Sequence, residues 1–239
     1  MGFTKRILYQ LVHQLRITNR EAKQLLESGV VRVNGEVVRE NVLIQDRDGL
    51  QVGDTEVRAP VKAVYLGFYK PRGYQSTLNK EVDHHLGAYF KSYKGLAIAG
   101  RLDKDSEGLL LLSNDGKWVE RLCHPDNYKE KEYLVVVDRD IEEGWMELMQ
   151  KGVMLGDGIT RPCTCEALDK RRFKICLTEG RNRQIRRMCH KSHYKVLELK
   201  RIRIDRFSLG TMQAGDMREL DPDSGVWVSS PGVNGPATP

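Results

Sequence analysis

The chain has 239 residues, of which 40% are hydrophobic and 30% charged, so it can bury a core larger than that of one small domain. Its formal net charge of +6 favours an anionic partner, which would bind where the Arg and Lys residues cluster. No apolar run in the sequence reaches the roughly 18 residues of a membrane-spanning helix, so neither a transmembrane segment nor a membrane partner is expected.

Residues 1–60 predict a small helix–helix–hairpin domain. Apolar residues recur at helical spacing between residues 4 and 15, and Thr18 with Glu21 has the pattern of a capping box that begins a second helix. Gly29 is placed to end that helix, and Asn34-Gly35 is a strong signal for a two-residue hairpin turn.

Basic side chains are concentrated on the second helix and the hairpin of this domain. Spacings of three and four residues bring Arg16, Arg20 and Lys23 close together, and Arg32 lies on the hairpin. Charge alone does not distinguish a phosphate-binding face from a solvated one, so both interpretations stay open here.

Residues 61–225 predict a larger α+β domain, preceded by a short linker around Pro60. Hairpin connections favour a mixed, mainly antiparallel sheet over a doubly wound parallel one. The predicted strands are 64–69, 96–99, 109–112, 131–137, 163–168, 173–177 and 196–204, and the predicted helices are 117–123, 141–151 and 182–193. Residues 226–239, rich in Ser, Gly and Pro, predict a disordered tail.

A charged loop, Gly100–Gly108, lies between two of these apolar strands. Buried strands on both sides would hold its carboxylates on a rigid base, where catalytic side chains tend to lie. The alternative is a solvated hairpin loop whose acids and bases balance one another. Asp103 and Asp105 also raise the idea of a glycosidase pair, but residues two apart on a tight loop rarely point at one bond.

A second charged stretch, Glu179–Met188, contains four arginines in a segment predicted to be helical. Arg186 follows Ile185 at the margin of the apolar stripe, where an arginine generally needs an anionic partner. Asp103 is a candidate for that partner, because a neighbouring guanidinium keeps a carboxylate ionised. An ionised and oriented carboxylate acts as a nucleophile or a base.

The cysteines and histidines do not predict a metal site or a disulfide framework. The cysteines number five and lie in apolar segments, which is typical of a reduced, cytoplasmic compartment. Cys163 and Cys165 share a strand face, but no second Cys or His pair completes four ligands, so two small core residues are the better interpretation. The adjacent His84 and His85 face different directions on either a helix or a strand.

Three motifs in order carry a resemblance to a known family. They are Gly100-Arg101-Leu102-Asp103 with Gly108-Leu109-Leu110, Lys131-Glu132-Tyr133, and Glu179-Gly180-Arg181-Asn182-Arg183-Gln184-Ile185-Arg186-Arg187. Together they resemble the RsuA-type pseudouridine synthases of ribosomal RNA. Lys70-Pro71-Arg72-Gly73 is similar to the entry motif of that family, although Tyr69 stands where the family usually has Asn. Residues 16–35 resemble the S-four-like RNA-binding domain that precedes the catalytic domain in this subfamily.

The resemblance implies a function and a set of site residues. Asp103 would be the catalytic carboxylate, Tyr133 would pack on the target uracil, and Arg186 would pair with Asp103. The RNA-binding residues would be Arg16, Arg20, Lys23, Arg32, Arg101, Arg183 and Arg187. No metal or other cofactor is implied.

The expected partner is ribosomal RNA, with large-subunit RNA favoured by the motifs and small-subunit RNA or transfer RNA as alternative substrates. The protein is expected to be a cytoplasmic monomer. The rival hypothesis is a non-catalytic RNA-binding or ribosome-assembly factor, which would not need Asp103, Tyr133 and Arg186 together.

Overall fold

The computed structural model describes residues 6–45 and 47–228, and the chain divides into two compact units. One unit extends to Val64 and includes Asn114–Gly116, and the other comprises Tyr65–Ser113 and the residues from Lys117 onward. The domain boundary expected at residue 60 stays a prediction. Among the described residues, no helix combines the length and the apolar character needed to cross a membrane.

The first unit contains two helices and a small antiparallel sheet. Its elements are α1 (Ile7–Leu15), α2 (Asn19–Ser28), β1 (Val31–Val33), β2 (Glu36–Val37), β3 (Leu50–Val52) and β4 (Thr55–Arg58). The sheet order is β2-β1-β3-β4, and every pairing in it is antiparallel. Fully buried apolar side chains from both helices and the sheet form its core, among them Ile7, Leu11, Ala22, Val31 and Leu50.

Local sequence signals explain the bounds of these elements. The side chain of Thr18 accepts from the Glu21 amide while Glu21 accepts from the Thr18 amide, which confirms the predicted capping box. Gly29 ends α2 in the left-handed region at φ +75°. Asn34 and Gly35 both have positive φ, as a two-residue hairpin turn between β1 and β2 requires.

The second unit is built on one large sheet, beside which β9 and β10 form a separate pair. The strands of this unit are β5 (Tyr65–Lys70), β6 (Ala97–Ala99), β7 (Glu107–Ser113), β8 (Lys131–Val137), β9 (Met154–Leu155), β10 (Gly158–Ile159), β11 (Thr164–Ala167), β12 (Arg172–Leu177), β13 (Val196–Ile204), β14 (Phe207–Ser208), β15 (Met217–Leu220) and β16 (Trp227–Val228). The remaining helices are α3 (Gly116–Cys123), α4 (Trp145–Lys151) and α5 (Gln184–Lys191).

Ten of these strands form a single mixed sheet. Its order is β11-β12-β8-β13-β7-β5-β15-β16, with β14 beside β13 and β6 beside β7. Among the strand pairings described for this sheet, only that of β13 with β7 is parallel. This confirms the predicted α+β class with a mainly antiparallel sheet. The central strand β7 is apolar on both faces, and Leu109–Leu112 are fully buried.

Two helices begin later than the sequence predicts, and both differences have a local cause. Gly144 precedes α4 with φ +77°, and Arg183 precedes α5 with φ +48°. A residue in the left-handed region cannot continue a right-handed helix. The helices therefore begin at Trp145 and Gln184, instead of near residues 141 and 182.

The predicted disordered tail begins too early. Trp227 and Val228 form β16, which pairs with Leu220 and Glu219 of β15. The Trp227 ring occupies the space where Gly67 lacks a side chain, so a tryptophan–glycine contact extends the sheet beyond residue 226. The rest of the predicted tail, residues 229–239, lies outside the described residues.

Candidate active site

The loop that carries Asp103 connects two paired strands of the large sheet. Strand β6 precedes it and pairs antiparallel with β7, which follows it. Because β7 is buried on both faces, the loop is anchored at a rigid part of the fold. The observed position matches the predicted charged loop between two buried strands.

Arg201 of β13 holds both ends of this loop. Its guanidinium donates to the carbonyl oxygens of Gly100 at 2.9 Å, Arg101 at 3.4 Å and Leu109 at 2.8 Å. Arg201 is only 1% exposed, so these bonds replace solvent around a buried charge. Arg201 was not predicted as a site residue, although Lys200 and Arg201 are adjacent on a strand and must face opposite sides of the sheet.

The middle of the loop is held by groups from the segment after β5. The buried Ser76 hydroxyl accepts from the Leu102 amide at 2.9 Å and donates to the Leu102 carbonyl at 2.7 Å. The Gly73 amide donates to the Lys104 carbonyl at 2.7 Å. These contacts fix the backbone on both sides of Asp103, so its carboxylate is presented from a rigid frame. Sequence reasoning also missed Ser76, which lies in a segment without periodicity.

Asp103 lies between two depressions in the surface. The first, called the central cavity, has a volume of about 440 Å³ and is lined by Asp103, Lys131, Tyr133 and Arg201 among others. The second, called the flanking groove, has a volume of about 450 Å³ and is lined by Arg72, Ser76, Arg101, Asp103 and Asp105 among others. Asp103 is therefore accessible from both.

Tyr133 reaches the central cavity from a separate element. It lies on β8, where its register partners are Ile175 of β12 and Arg201 of β13. Lys131 lies two residues earlier on the same face and also lines the cavity. Burial lowers the pKa of Lys131, and the charge of Arg201 lowers it further. The structure thus brings Asp103 and Tyr133, which are distant in sequence, to one cavity.

The prediction that Arg186 forms an ion pair with Asp103 is wrong, because Arg186 contacts Asp105 instead. The Nη2 of Arg186 donates to the Asp105 carbonyl at 3.0 Å and to Ser106 Oγ at 3.3 Å, and its Nη1 donates to the Val196 carbonyl at 3.1 Å. Its Nε lies 3.4 Å from Asp105 Oδ2. The Arg186 side chain is 12% exposed, which agrees with its predicted position at the margin of the apolar stripe.

Asp105 is the carboxylate that two arginines of the third motif, Arg183 and Arg186, hold. Arg183 binds it with both Nη atoms, at 3.0 and 3.1 Å, and Arg186 adds a second positive charge. Burial alone would raise the pKa of Asp105, but the hydrogen bonds of Arg183 and the charges of Arg186 and Arg183 outweigh it and lower the pKa. Asp103 has one longer contact, 3.7 Å to Arg183 Nη1. Asp105 therefore braces the loop, and Asp103 is left to face the cavity.

The other predicted RNA-binding residues lie in several places. Arg101 lines both the central cavity and the flanking groove. Arg187, on α5, binds both carboxylate oxygens of Asp157 at 3.0 Å. In the first unit, Arg16, Arg20, Lys23 and Arg32 are all exposed. Lys23 pairs with Glu27 at 3.8 Å, and Arg32 Nη1 donates to the Gly35 carbonyl at 3.4 Å.

Gly108→Ala is expected to destabilise the fold by about 3 kcal/mol, because the change strains the backbone and separates two paired strands. Gly108 has φ +106°, and an added Cβ would overlap the Arg201 carbonyl oxygen and lie 2.7 Å from the Arg201 nitrogen. Urea unfolding measures the change in free energy. Gly156→Ala is the matched control, since its Cβ would meet nothing within 4 Å. Equal stability of the two variants would contradict the close approach of β7 to β13.

Comparison with known proteins gives one consistent result. The family model described as "RNA pseudouridylate synthase" matches residues 64–191. A crystal structure of a pseudouridylate synthase aligns over 92% of this chain and 99% of its own, with a TM-score of 0.65 and 27% identity.

Named relatives cover most of the chain. An uncharacterised RNA pseudouridine synthase of Aquifex aeolicus is 36% identical over 88% of this chain and 90% of the relative. The ribosomal large subunit pseudouridine synthase B of Bacillus subtilis is 33% identical over 91% and 93%. The dual-specificity RNA pseudouridine synthase RluF of Escherichia coli is 35% identical over 86% and 72%. This chain therefore belongs to the RNA pseudouridylate synthase family and is an RNA pseudouridine synthase, an isomerase.

Proposed function

We propose that this enzyme converts a specific uridine of large-subunit ribosomal RNA to pseudouridine, with Asp103 as the catalytic carboxylate. The observation that carries the proposal is the central cavity, which Asp103 and Tyr133 line together. Asp105 is occupied by Arg183 and Arg186, which leaves Asp103 as the carboxylate available to a substrate there. Support for the RNA class comes from the relative named for the large ribosomal subunit, which spans nearly the whole chain.

The reaction needs a carboxylate and a way to hold the free base. The bond between uracil N1 and ribose C1′ breaks, the base turns, and C1′ forms a bond with uracil C5. The proton on C5 is lost and N1 gains one, so the product is an isomer and no oxidant or reductant is consumed. In this proposal Asp103 either attacks the sugar or takes a proton from it.

A uridine must leave its base stack to reach Asp103. Enzymes that act on bases extrude the target nucleotide into a fitted pocket and hold it against aromatic side chains. A cavity of about 440 Å³ lies in the usual size range of small-molecule sites. Tyr133 supplies the aromatic wall, and Arg101 contacts a phosphate at the mouth of the site.

Arg186 acts in this account as a positioning residue. It binds the backbone of Asp105 and the hydroxyl of Ser106, and so it holds the loop that presents Asp103. We also propose that the enzyme is cytoplasmic, since ribosomal RNA is its substrate, and that it acts as a monomer.

Incubation of the purified protein with RNA transcripts tests the substrate class. Large-subunit ribosomal RNA, small-subunit ribosomal RNA and a transfer RNA pool are treated in parallel, and pseudouridines are mapped by chemical modification and reverse transcription. We expect a new pseudouridine at a defined position of the large-subunit RNA. Modification confined to small-subunit or transfer RNA would contradict the proposed substrate, and no modification of any transcript would contradict the assignment of the reaction to these RNAs.

We propose further that the first unit is an S-four-like RNA-binding domain. Arg16 and Arg20 have no side-chain hydrogen bond or ion pair among the described residues. Lys23 pairs with Glu27, but both of these side chains are exposed to solvent. All three cations are therefore available to phosphates. Contacts of this kind position RNA without reading its sequence.

Reversal of two charges tests this surface. Arg20→Glu with Lys23→Glu is expected to weaken binding to structured ribosomal RNA, and to reduce the slope of log affinity against log salt by about 0.7–0.9 for each lost contact. Fluorescence titrations at several salt concentrations measure both quantities. An unchanged salt slope would mean that this helix face is only solvated.

A further inference from the structure

A third cavity, beside α5, carries more positive charge than the protein neutralises. This basic cavity has a volume of about 640 Å³. The charged side chains that line it are Arg72, Arg183, Arg186, Arg187, Lys191 and Lys195, with Asp105 as the one carboxylate among the described lining residues. His190 also lines it.

Three of these cations have no acidic partner. Arg183 and Arg186 share Asp105, and Arg187 binds Asp157. In contrast, the side chains of Arg72, Lys191 and Lys195 make no hydrogen bond or ion pair with any described residue. Burial lowers the pKa of Arg186, and the nearby charges of Arg183 and Arg72 lower it further. The cavity therefore presents three exposed, unpaired cations that an anionic ligand can contact.

The arrangement of α5 also disfavours a purely structural explanation. Arg187 and Lys191 lie four residues apart on one face of α5, and Arg183 immediately precedes the helix. Like charges at this spacing disfavour a helix. Asp157 neutralises Arg187, but Lys191 has no acidic partner among the described residues. A row of cations along a cavity is suited to a strand of phosphates.

The basic cavity is continuous with the proposed catalytic surface. Arg72, Asp105 and Arg183 line both the basic cavity and the flanking groove, and Asp103 lines that groove. A polymer with one nucleotide at Asp103 would therefore extend into the basic cavity with its neighbouring nucleotides.

We infer that the basic cavity binds the phosphodiester groups of the RNA strand next to the target uridine, through Arg72, Lys191 and Lys195. This inference rests on the proposed function, because it takes the strand at Asp103 to be the RNA substrate. Lys191 and Lys195 belong to none of the motifs that carried the family resemblance, and their role follows from the cavity and its unpaired charge.

The first test compares two double variants of the full-length protein. Lys191→Gln with Lys195→Gln removes two positive charges from the basic cavity, and Lys151→Gln with Lys170→Gln removes two exposed charges that line no described cavity. The probe is deproteinised large-subunit ribosomal RNA, titrated at several salt concentrations. The first variant is expected to raise Kd about tenfold and to flatten the salt slope by about 1.4, the contribution of two single-strand contacts. The control variant is expected to bind like the wild type.

The second test locates the phosphates. Synthetic stem-loops that contain the mapped target uridine are prepared with one neutral methylphosphonate linkage at each position in turn. Wild-type affinity is expected to fall for linkages adjacent to the target, and the same linkages should have little further effect in Lys191→Gln/Lys195→Gln. Such non-additivity is the signature of a direct contact.

Several results would overturn the inference. An unchanged Kd, an equal loss in the control variant, or a linkage effect that persists undiminished in Lys191→Gln/Lys195→Gln would each place the RNA elsewhere. These outcomes are separate from failure of the proposed function. Pseudouridine formation by a wild-type enzyme whose Kd is insensitive to Lys191 and Lys195 would refute only the cavity. A wild-type enzyme that modifies no ribosomal uridine would refute the substrate, and the first titration would still decide whether the cavity binds a strand.

Discussion

Asp103→Asn is expected to reduce pseudouridine formation by about 10⁴-fold or more, the size of loss seen when the central group of a catalytic unit is removed. An amide cannot act as a nucleophile or a base at the sugar, yet it has nearly the same volume as the carboxylate. The loop should keep its shape, because its backbone is held by Arg201 and Ser76 and not by the side chain of Asp103. Single-turnover assays with a saturating RNA measure the rate, and thermal unfolding checks the fold.

Asp105→Asn is the matched control for this change. It alters a carboxylate on the same loop, but one that binds Arg183 and Arg186 and does not line the central cavity. We expect it to cost about 1 kcal/mol of stability, since the ion pairs are partly exposed, and to leave measurable turnover. If Asp105→Asn were the inactive variant and Asp103→Asn the active one, the two carboxylates would have the opposite roles.

Arg186→Ala should be the most damaging change among the arginines of α5. It removes the donors to the carbonyl groups of Val196 and Asp105 and leaves them without a partner in a mostly buried site. A cost of roughly 3 kcal/mol is expected from unsatisfied buried acceptors and a broken ion pair, tempered because Asp105 is 39% exposed. Urea unfolding measures it, and turnover should fall as the loop around Asp103 loosens.

Arg186→Lys separates the charge from the geometry. A lysine keeps the positive charge, but its single ammonium cannot replace a planar guanidinium that reaches Val196 on one side and Asp105 and Ser106 on the other. The variant is therefore expected to fold yet turn over far more slowly than the wild type. Full activity in Arg186→Lys would show that only the charge is needed.

Tyr133, the loop and the strands were predictable because their signals are local. The alternation Lys131–Val137 predicts β8 with its observed bounds, and the apolar runs beside the loop predict β6 and β7 to within two or three residues. The capping box at Thr18 and the Asn34-Gly35 turn are also visible in a few neighbouring residues. The functional pairing of Asp103 with Tyr133 came from the family resemblance.

The partner of Arg186 was not predictable from the same kind of signal. Two aspartates, Asp103 and Asp105, lie within the loop, and the choice between them depends on where α5 begins and on the path of the loop. The left-handed conformation of Arg183 sets where α5 begins. The path of the loop depends on Arg201 and Ser76, which lie far from it in the sequence. Contacts of this range have no periodic pattern, so they appear only when the chain is folded.

The most direct measurement for the whole account is a map of pseudouridines in ribosomal RNA from cells that lack this protein. The cells are complemented with the wild-type gene, with Asp103→Asn or with an empty vector, and every uridine is compared. We expect a defined large-subunit position to lose its pseudouridine in the deletion strain, to regain it with the wild type, and to stay unmodified with Asp103→Asn. Restoration by Asp103→Asn, or a map identical in all three strains, would contradict the proposal that this enzyme modifies ribosomal RNA through Asp103.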